Sequence, residues 1–211
     1  MTIRAVLFDA AGVLTAPFSV ELVGPALEVG ADPEVLLNVL YPIFAHAGDG
    51  ESAGNRLERG EITLEEFFAS LPEDEQPHVR MVIDPASPTF FGDSWAPGQE
   101  MQAFVREVAD AGFQTAMVSN IVTEWIPVWE RVIPLDLPFD VRVYSCVIGA
   151  RKPEAAIYQH ALDALGIQSN EALFLDDFEA MVEGAREIGM QAVHVADPAT
   201  AIAEARAVLG I

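Results

Sequence analysis

Five short apolar runs punctuate the chain, at residues 3–8, 114–118, 141–147, 172–175 and 192–195, and each has the length of a β-strand. Helical patterns lie between most of them. One covers residues 101–109, one 154–165 after Pro153, one 178–188, and one 199–209 after Pro198. Gly112, Gly166 and Gly189 follow three of these segments where a helix-ending glycine sits. Strand alternating with helix predicts an α/β fold, a doubly wound, Rossmann-like parallel sheet with helices on both faces. Ligands of such sheets bind at the carboxyl ends of the strands.

The first strand breaks the rhythm. After Thr15 the next predicted strand begins near Gln114. Residues 17–88 read instead as helices, with candidates at 19–29, 34–40 and 63–70. The last opens on Thr63 with Glu66 three residues on, the spacing of a capping box. The reading is a core of residues 1–15 and 92–211 with an all-helical insert at 16–91. Pro85, Pro88 and the loop at 91–97 mark the return, and the acidic stretch 72–76 reads as a surface turn.

Composition narrows the function. The 211 residues suffice for one domain with an inserted subdomain, and 51% of them are hydrophobic. No apolar run approaches the roughly 18 residues of a membrane span, and the first residues lack the pattern of a signal peptide. Cys146 is the only cysteine, so no intrachain disulfide forms, and a reducing cytoplasm is the expected location. The net charge of -22 repels phosphate backbones, which argues against a nucleic-acid partner. Lys152 is the sole lysine beside ten arginines, a skew that a GC-rich genome or a salt-adapted cytoplasm explains equally. An anionic substrate would need a metal ion or a local positive site.

Four motifs supply candidates for that site. "LFDAAGVLT" puts Asp9 at the end of the first strand, followed by Gly12, which lets backbone approach a ligand. "TAMVSN" ends the next strand with Ser119 and Asn120, a hydroxyl and an amide that can donate to an anion. "ARKPEAAIYQHAL" sets Lys152 before Pro153, at the first turn of a helix, where a fixed ammonium screens a carboxylate from an incoming phosphoryl group. "ALFLDDFEA" places Asp176 and Asp177 at a strand end. Two adjacent acids repel each other and suggest Mg2+ with oxygen ligands. Taken singly, each motif also has an ordinary reading as a turn, a cap or a solvated charge.

In this order the four motifs resemble the haloacid dehalogenase superfamily of hydrolases, in the branch with a helical cap after the first motif. The resemblance covers nearly the whole chain, and "RLERGEITLEEF" at 56–67 is similar to cap segments of that branch. It implies that Asp9 is the nucleophile that forms an aspartyl-phosphate. Lys152 would steady nucleophile and phosphate. Ala10, Ala11, Ser119, Asn120 and Lys152 would contact the phosphate. Asp9, the Ala11 carbonyl, Asp176 and Asp177 would hold Mg2+, with Asp177 the likelier direct ligand of the acid pair. The implied substrate is a small phosphorylated metabolite.

One departure matters. The family usually carries a second aspartate two residues past the nucleophile, as general acid and base, and this chain has Ala11. Such help is worth about 10²–10⁴ in rate. Phosphonatases also have alanine there, but they use a cap lysine, and the insert has none. The 2-haloacid dehalogenases have an arginine soon after the nucleophile, whereas no arginine lies between Arg4 and Arg56. Thr15 is near the motif but a poor acid, and His46 lies in the insert as a histidine, whose pKa range suits the task. Met181, where relatives often have a polar residue, is a second departure. Two readings stand: a Mg2+-dependent phosphohydrolase with altered acid–base chemistry, or a catalytically silent protein that binds a phosphorylated ligand or a partner.

Overall fold

The computed structural model describes residues 2–17, 20–44, 52–91 and 95–211. Strand β1 (Ala5–Phe8) is followed by helices α1 (Val20–Glu28), α2 (Pro33–Phe44), α3 (Ala53–Glu58), α4 (Leu64–Ala69) and α5 (Gln76–Ile83). Helix α6 (Gln99–Asp110) leads into β2 (Gln114–Ser119), α7 (Ile126–Val132), β3 (Val141–Tyr144), α8 (Ser145–Ile148) and α9 (Ala155–Leu165). The chain ends with β4 (Ala172–Asp176), α10 (Glu179–Glu187), β5 (Gln191–His194) and α11 (Pro198–Leu209). The strands form one parallel sheet in the order β3-β2-β1-β4-β5. Among the described residues no helix is long and apolar enough to cross a membrane.

Alternation along β1 shows why the strands are apolar throughout. Val6 and Phe8 face a core shared with α6, α11 and the helical insert, while Ala5 and Leu7 face α9 and α10. A strand covered on both faces has no solvent side to fill with polar residues. Each large apolar side chain so buried contributes about 1.5–3 kcal/mol. The insert leaves and rejoins the core at one place. Thr15 bridges Pro97, the Ala16 N–H donates to Ala96, and the Trp95 indole donates to the Ala16 carbonyl at 2.9 Å.

The helix of Thr63 is closed by the expected capping box. Three details differ from the sequence reading. The strand expected over 141–147 stops at Tyr144, and residues 145–148 turn into α8, closed by Gly149 at φ 74. The Ser145 hydroxyl draws the chain aside by accepting from the Ile121 N–H and donating to the Glu58 carbonyl at 2.6 Å. Pro153 lies ahead of α9 rather than in its first turn. Helices α3, α5 and α7 were not expected. The last two carry proline in their opening positions, a helix-start signal that reads as a breaker when the following helix is short.

Candidate active site

Strand register assembles the acids. Phe8 pairs with both Met117 and Leu175, so Asp9 emerges beside the end of β4, and its N–H donates to the Leu175 carbonyl at 2.9 Å. Carboxylate oxygens of Asp9, Asp176 and Asp177 lie within 4.8 Å of one another. Asp9 and Asp176 are buried, and Asp177 is partly buried.

Lys152 answers part of that charge. Its ammonium donates to Asp9 Oδ1 at 2.5 Å and to Asp176 Oδ2 at 2.6 Å. Burial works to lower the lysine pKa, but the carboxylates of Asp176 and Asp9 outweigh it and hold the group above its ordinary value. For Asp9, burial dominates and Asp176 adds to it; against the pull of Lys152, the acid is pushed up to about 6. Asp177 is pushed up to about 8 by burial and by Asp9 and Asp176. Its Oδ1 is buried with no hydrogen-bond partner among the described residues. A buried carboxylate oxygen without a donor is costly, and a hard divalent cation with oxygen ligands removes that cost. The three acids therefore fit Mg2+.

Residues 10–14 make one wide turn, closed by the Thr15 N–H donating to the Ala10 carbonyl at 3.1 Å. Gly12 sits within it at φ 77, in the left-handed region, where glycine carries no penalty. Thr15 is committed to this turn: its hydroxyl accepts from the Gly12 N–H and donates to the Ala16 carbonyl, so it is not a spare acid. Ala11 is partly buried against the core. Ser119 ends β2; its hydroxyl accepts from the Trp129 indole at 3.2 Å and donates to the Asn120 carbonyl at 3.4 Å, a long bond that an anion can displace. Asn120 has a different employment from the one expected. Its side-chain oxygen accepts from the Lys152 N–H at 2.8 Å and its amide donates to the Lys152 carbonyl at 3.0 Å. Met181 is buried, and its carbonyl accepts from the Tyr158 hydroxyl. His46 lies outside the described residues.

The contacts that flank Lys152 come from residues far from it in the chain. Glu58 and Arg151 form a buried ion pair at 2.6 Å, and Arg59 pairs with Glu154 at 2.8 Å. These residues are remote in the chain, so no local pattern reports them.

A family model of the haloacid dehalogenase-like hydrolases matches residues 3–189. The chain is 30% identical over 211 residues to acyl-CoA dehydrogenase family member 10 of Mus musculus, covering 98% of this chain and 19% of that protein. It is 29% identical over 226 residues to bifunctional epoxide hydrolase 2 of Rattus norvegicus, covering 100% of this chain and 39% of that protein. The chain thus spans well under half the length of these relatives. Its fold is similar to that of a HAD family enzyme of Bacteroides thetaiotaomicron, solved in complex with magnesium and inorganic phosphate. The TM-score is 0.67 at 20% identity, over 91% of this chain and 93% of that one. The parallel sheet, the helical insert after its first strand and the family match over most of the length agree, and the chain belongs to the haloacid dehalogenase-like hydrolase family.

Proposed function

We propose that the protein is a Mg2+-dependent phosphohydrolase acting on a small phosphorylated metabolite through Asp9. One observation carries the reading. The Lys152 ammonium sits between Asp9 and Asp176 at 2.5 and 2.6 Å, while Asp177 keeps an unpartnered buried oxygen beside them. The magnesium and phosphate bound by the Bacteroides enzyme support it.

Asp9, Asp176, Asp177 and the Ala11 carbonyl would hold the metal, which when bound supplies positive charge to offset that of the phosphoryl group. Lys152 holds the Asp9 carboxylate ionised and places a second positive charge at the phosphate. Ser119 donates its hydroxyl proton to a phosphate oxygen, with Ala10 and Ala11 completing that cradle, while the Asn120 amide holds the Lys152 backbone. A carboxylate oxygen of Asp9 bonds to phosphorus as the bond to the leaving oxygen breaks. The leaving oxygen departs with the electron pair and takes its proton from water, since residue 11 has none to give. Water then cleaves the aspartyl-phosphate, releasing inorganic phosphate and restoring Asp9. The insert at 16–91 acts as the cap that selects the substrate.

Ala11 favours one other reading, a silent protein that binds a phosphorylated ligand without turnover. Against it stands Asp9, which a pure binder has no reason to hold against an ammonium. Hydrolysis of p-nitrophenyl phosphate and acetyl phosphate, with and without Mg2+, decides between them. Mg2+-dependent release of phosphate that disappears in Asp9→Asn establishes the hydrolase. Ligand binding with no release in either protein establishes the silent form.

A further inference from the structure

We propose that Glu58 is a positioning residue, through which the helical insert fixes the Lys152 ammonium by way of Arg151. The inference rests on the reading of Lys152 as the lysine of the phosphoryl-transfer site.

Glu58 ends α3, and its Oε2 accepts from Arg151 Nε at 2.6 Å. The two side chains are only 7% and 4% exposed. Arg151 is the residue before Lys152. A second crossing runs beside the first, from Arg59 Nη1 to Glu154 Oε1 at 2.8 Å. Glu154 stands where α9 begins, yet its side chain does not cap that helix. Its other oxygen accepts instead from the Arg151 N–H at 3.2 Å. From the core side, Asn120 grips both backbone groups of Lys152. The stretch 151–154 is thus clamped between a core amide and two charged residues of the insert.

Stability alone does not explain this arrangement. A buried ion pair seldom outperforms a well-packed apolar pair of the same volume. What it adds is direction, because a guanidinium and a carboxylate bind in few geometries. Lys152 has need of that. Its stem is flexible, and its ammonium must meet two carboxylates whose places are set by β1 and β4. Fixing the backbone at Arg151 fixes where the stem starts. The lysine is placed only while α3 is seated on the core.

The chain offers a direct probe, since Lys152 is its only lysine. Protein grown with lysine carrying carbon-13 at the ε position gives one lysine side-chain resonance. The comparison is between the wild type, Glu58→Gln, and the double variant Glu58→Leu with Arg151→Met, with thermal unfolding and p-nitrophenyl phosphate turnover measured alongside. Glu58→Gln is expected to shift or broaden the resonance and to lower kcat by roughly ten- to a hundred-fold, with KM little changed. The double variant, which removes both charges of the pair, regains thermal stability but keeps the altered resonance and the low kcat. A wild-type resonance in Glu58→Gln overturns the proposal. So does a double variant in which resonance and kcat recover along with stability, because Glu58 would then serve packing alone. A wild type without phosphatase activity counts against the proposed reaction, and the resonance still decides the positioning.

Discussion

Gly12 and Asp177 meet with no room between them: a Cβ added at Gly12 would lie 2.0 Å from Asp177 Oδ2. The turn after Asp9 and the acid after β4 are therefore packed as one unit. The missing side chain is what allows a carboxylate into that space. Gly12→Ala must push Asp177 aside and must also hold alanine at φ 77. The strain of such a backbone is about 1–3 kcal/mol. The variant is expected to unfold at a lower temperature and to gain little stability from Mg2+. Calorimetric titration with Mg2+ checks this, and wild-type affinity in Gly12→Ala would show that Asp177 is not a ligand.

Lys152→Met keeps the buried stem and removes the charge, so Asp9 and Asp176 face each other unscreened. Breaking a buried pair costs about 3–5 kcal/mol when the remaining charges stay ionised. Without the ammonium, the pKa of Asp9 rises further above its unfolded value. The proton it then holds stabilises the folded state at low pH, and that stability is lost as pH rises through the folded pKa. Turnover of p-nitrophenyl phosphate should vanish. The loss of thermal stability relative to wild type should be large at about pH 8 and smaller at about pH 5. Undiminished turnover would reduce Lys152 to a structural cation.

How much of this was legible depended on distance along the chain. Asp9, Ser119 and Asp176 each close an apolar run, so topology alone sends them to one sheet edge. The capping box of Thr63 and Glu66 is a three-residue signal and was readable for the same reason. The partners of Lys152 were not. Asn120 reads as a free amide until the fold sets it against the Lys152 backbone, and Glu58 lies 93 residues from Arg151. Tertiary contact also overrode local preference at residues 145–147. They are apolar enough for a strand, but Ser145 is held by the Glu58 carbonyl and the chain turns.

Asp177 gives the metal-free protein a pH signature. Its pKa rises from an ordinary 3.8 to about 8 in the folded state, chiefly through burial. Between those values the folded protein holds a proton that the unfolded chain has released. Stability of the metal-free form should therefore fall as pH rises across that window, by an amount on the order of a few kcal/mol, and level off above it. Mg2+ binds the deprotonated acid, so the stabilisation it confers should grow over the same window. Thermal unfolding in chelator and in Mg2+ across this range gives both curves. Asp177→Asn should flatten the first above about pH 6, where the raised Asp9 has already titrated, and abolish the difference. A variant that retains the wild-type slope would assign the effect to other acids.

Ala11→Asp tests what the site lacks. Position 11 lies two residues past Asp9 in the turn that Gly12 closes, at φ -71 and ψ 130, a backbone that aspartate adopts without strain. An acid there should protonate the leaving oxygen and later activate water, help worth about 10²–10⁴ in rate, or about 3–5 kcal/mol of barrier. The gain should follow leaving-group basicity. A sugar phosphate, whose alkoxide needs a proton, should speed up strongly. p-Nitrophenyl phosphate, whose phenolate leaves unaided, should change little. The new carboxylate also joins three others within 4.8 Å of one another, so the variant should be less stable without Mg2+ than the wild type. The measurement is kcat for both substrates at saturating Mg2+. Equal change in the two rates would mean that protonation does not limit the reaction, or that another residue already supplies it. His46→Ala in the wild-type background then separates these cases, since loss of sugar-phosphate turnover alone would identify that histidine as the donor.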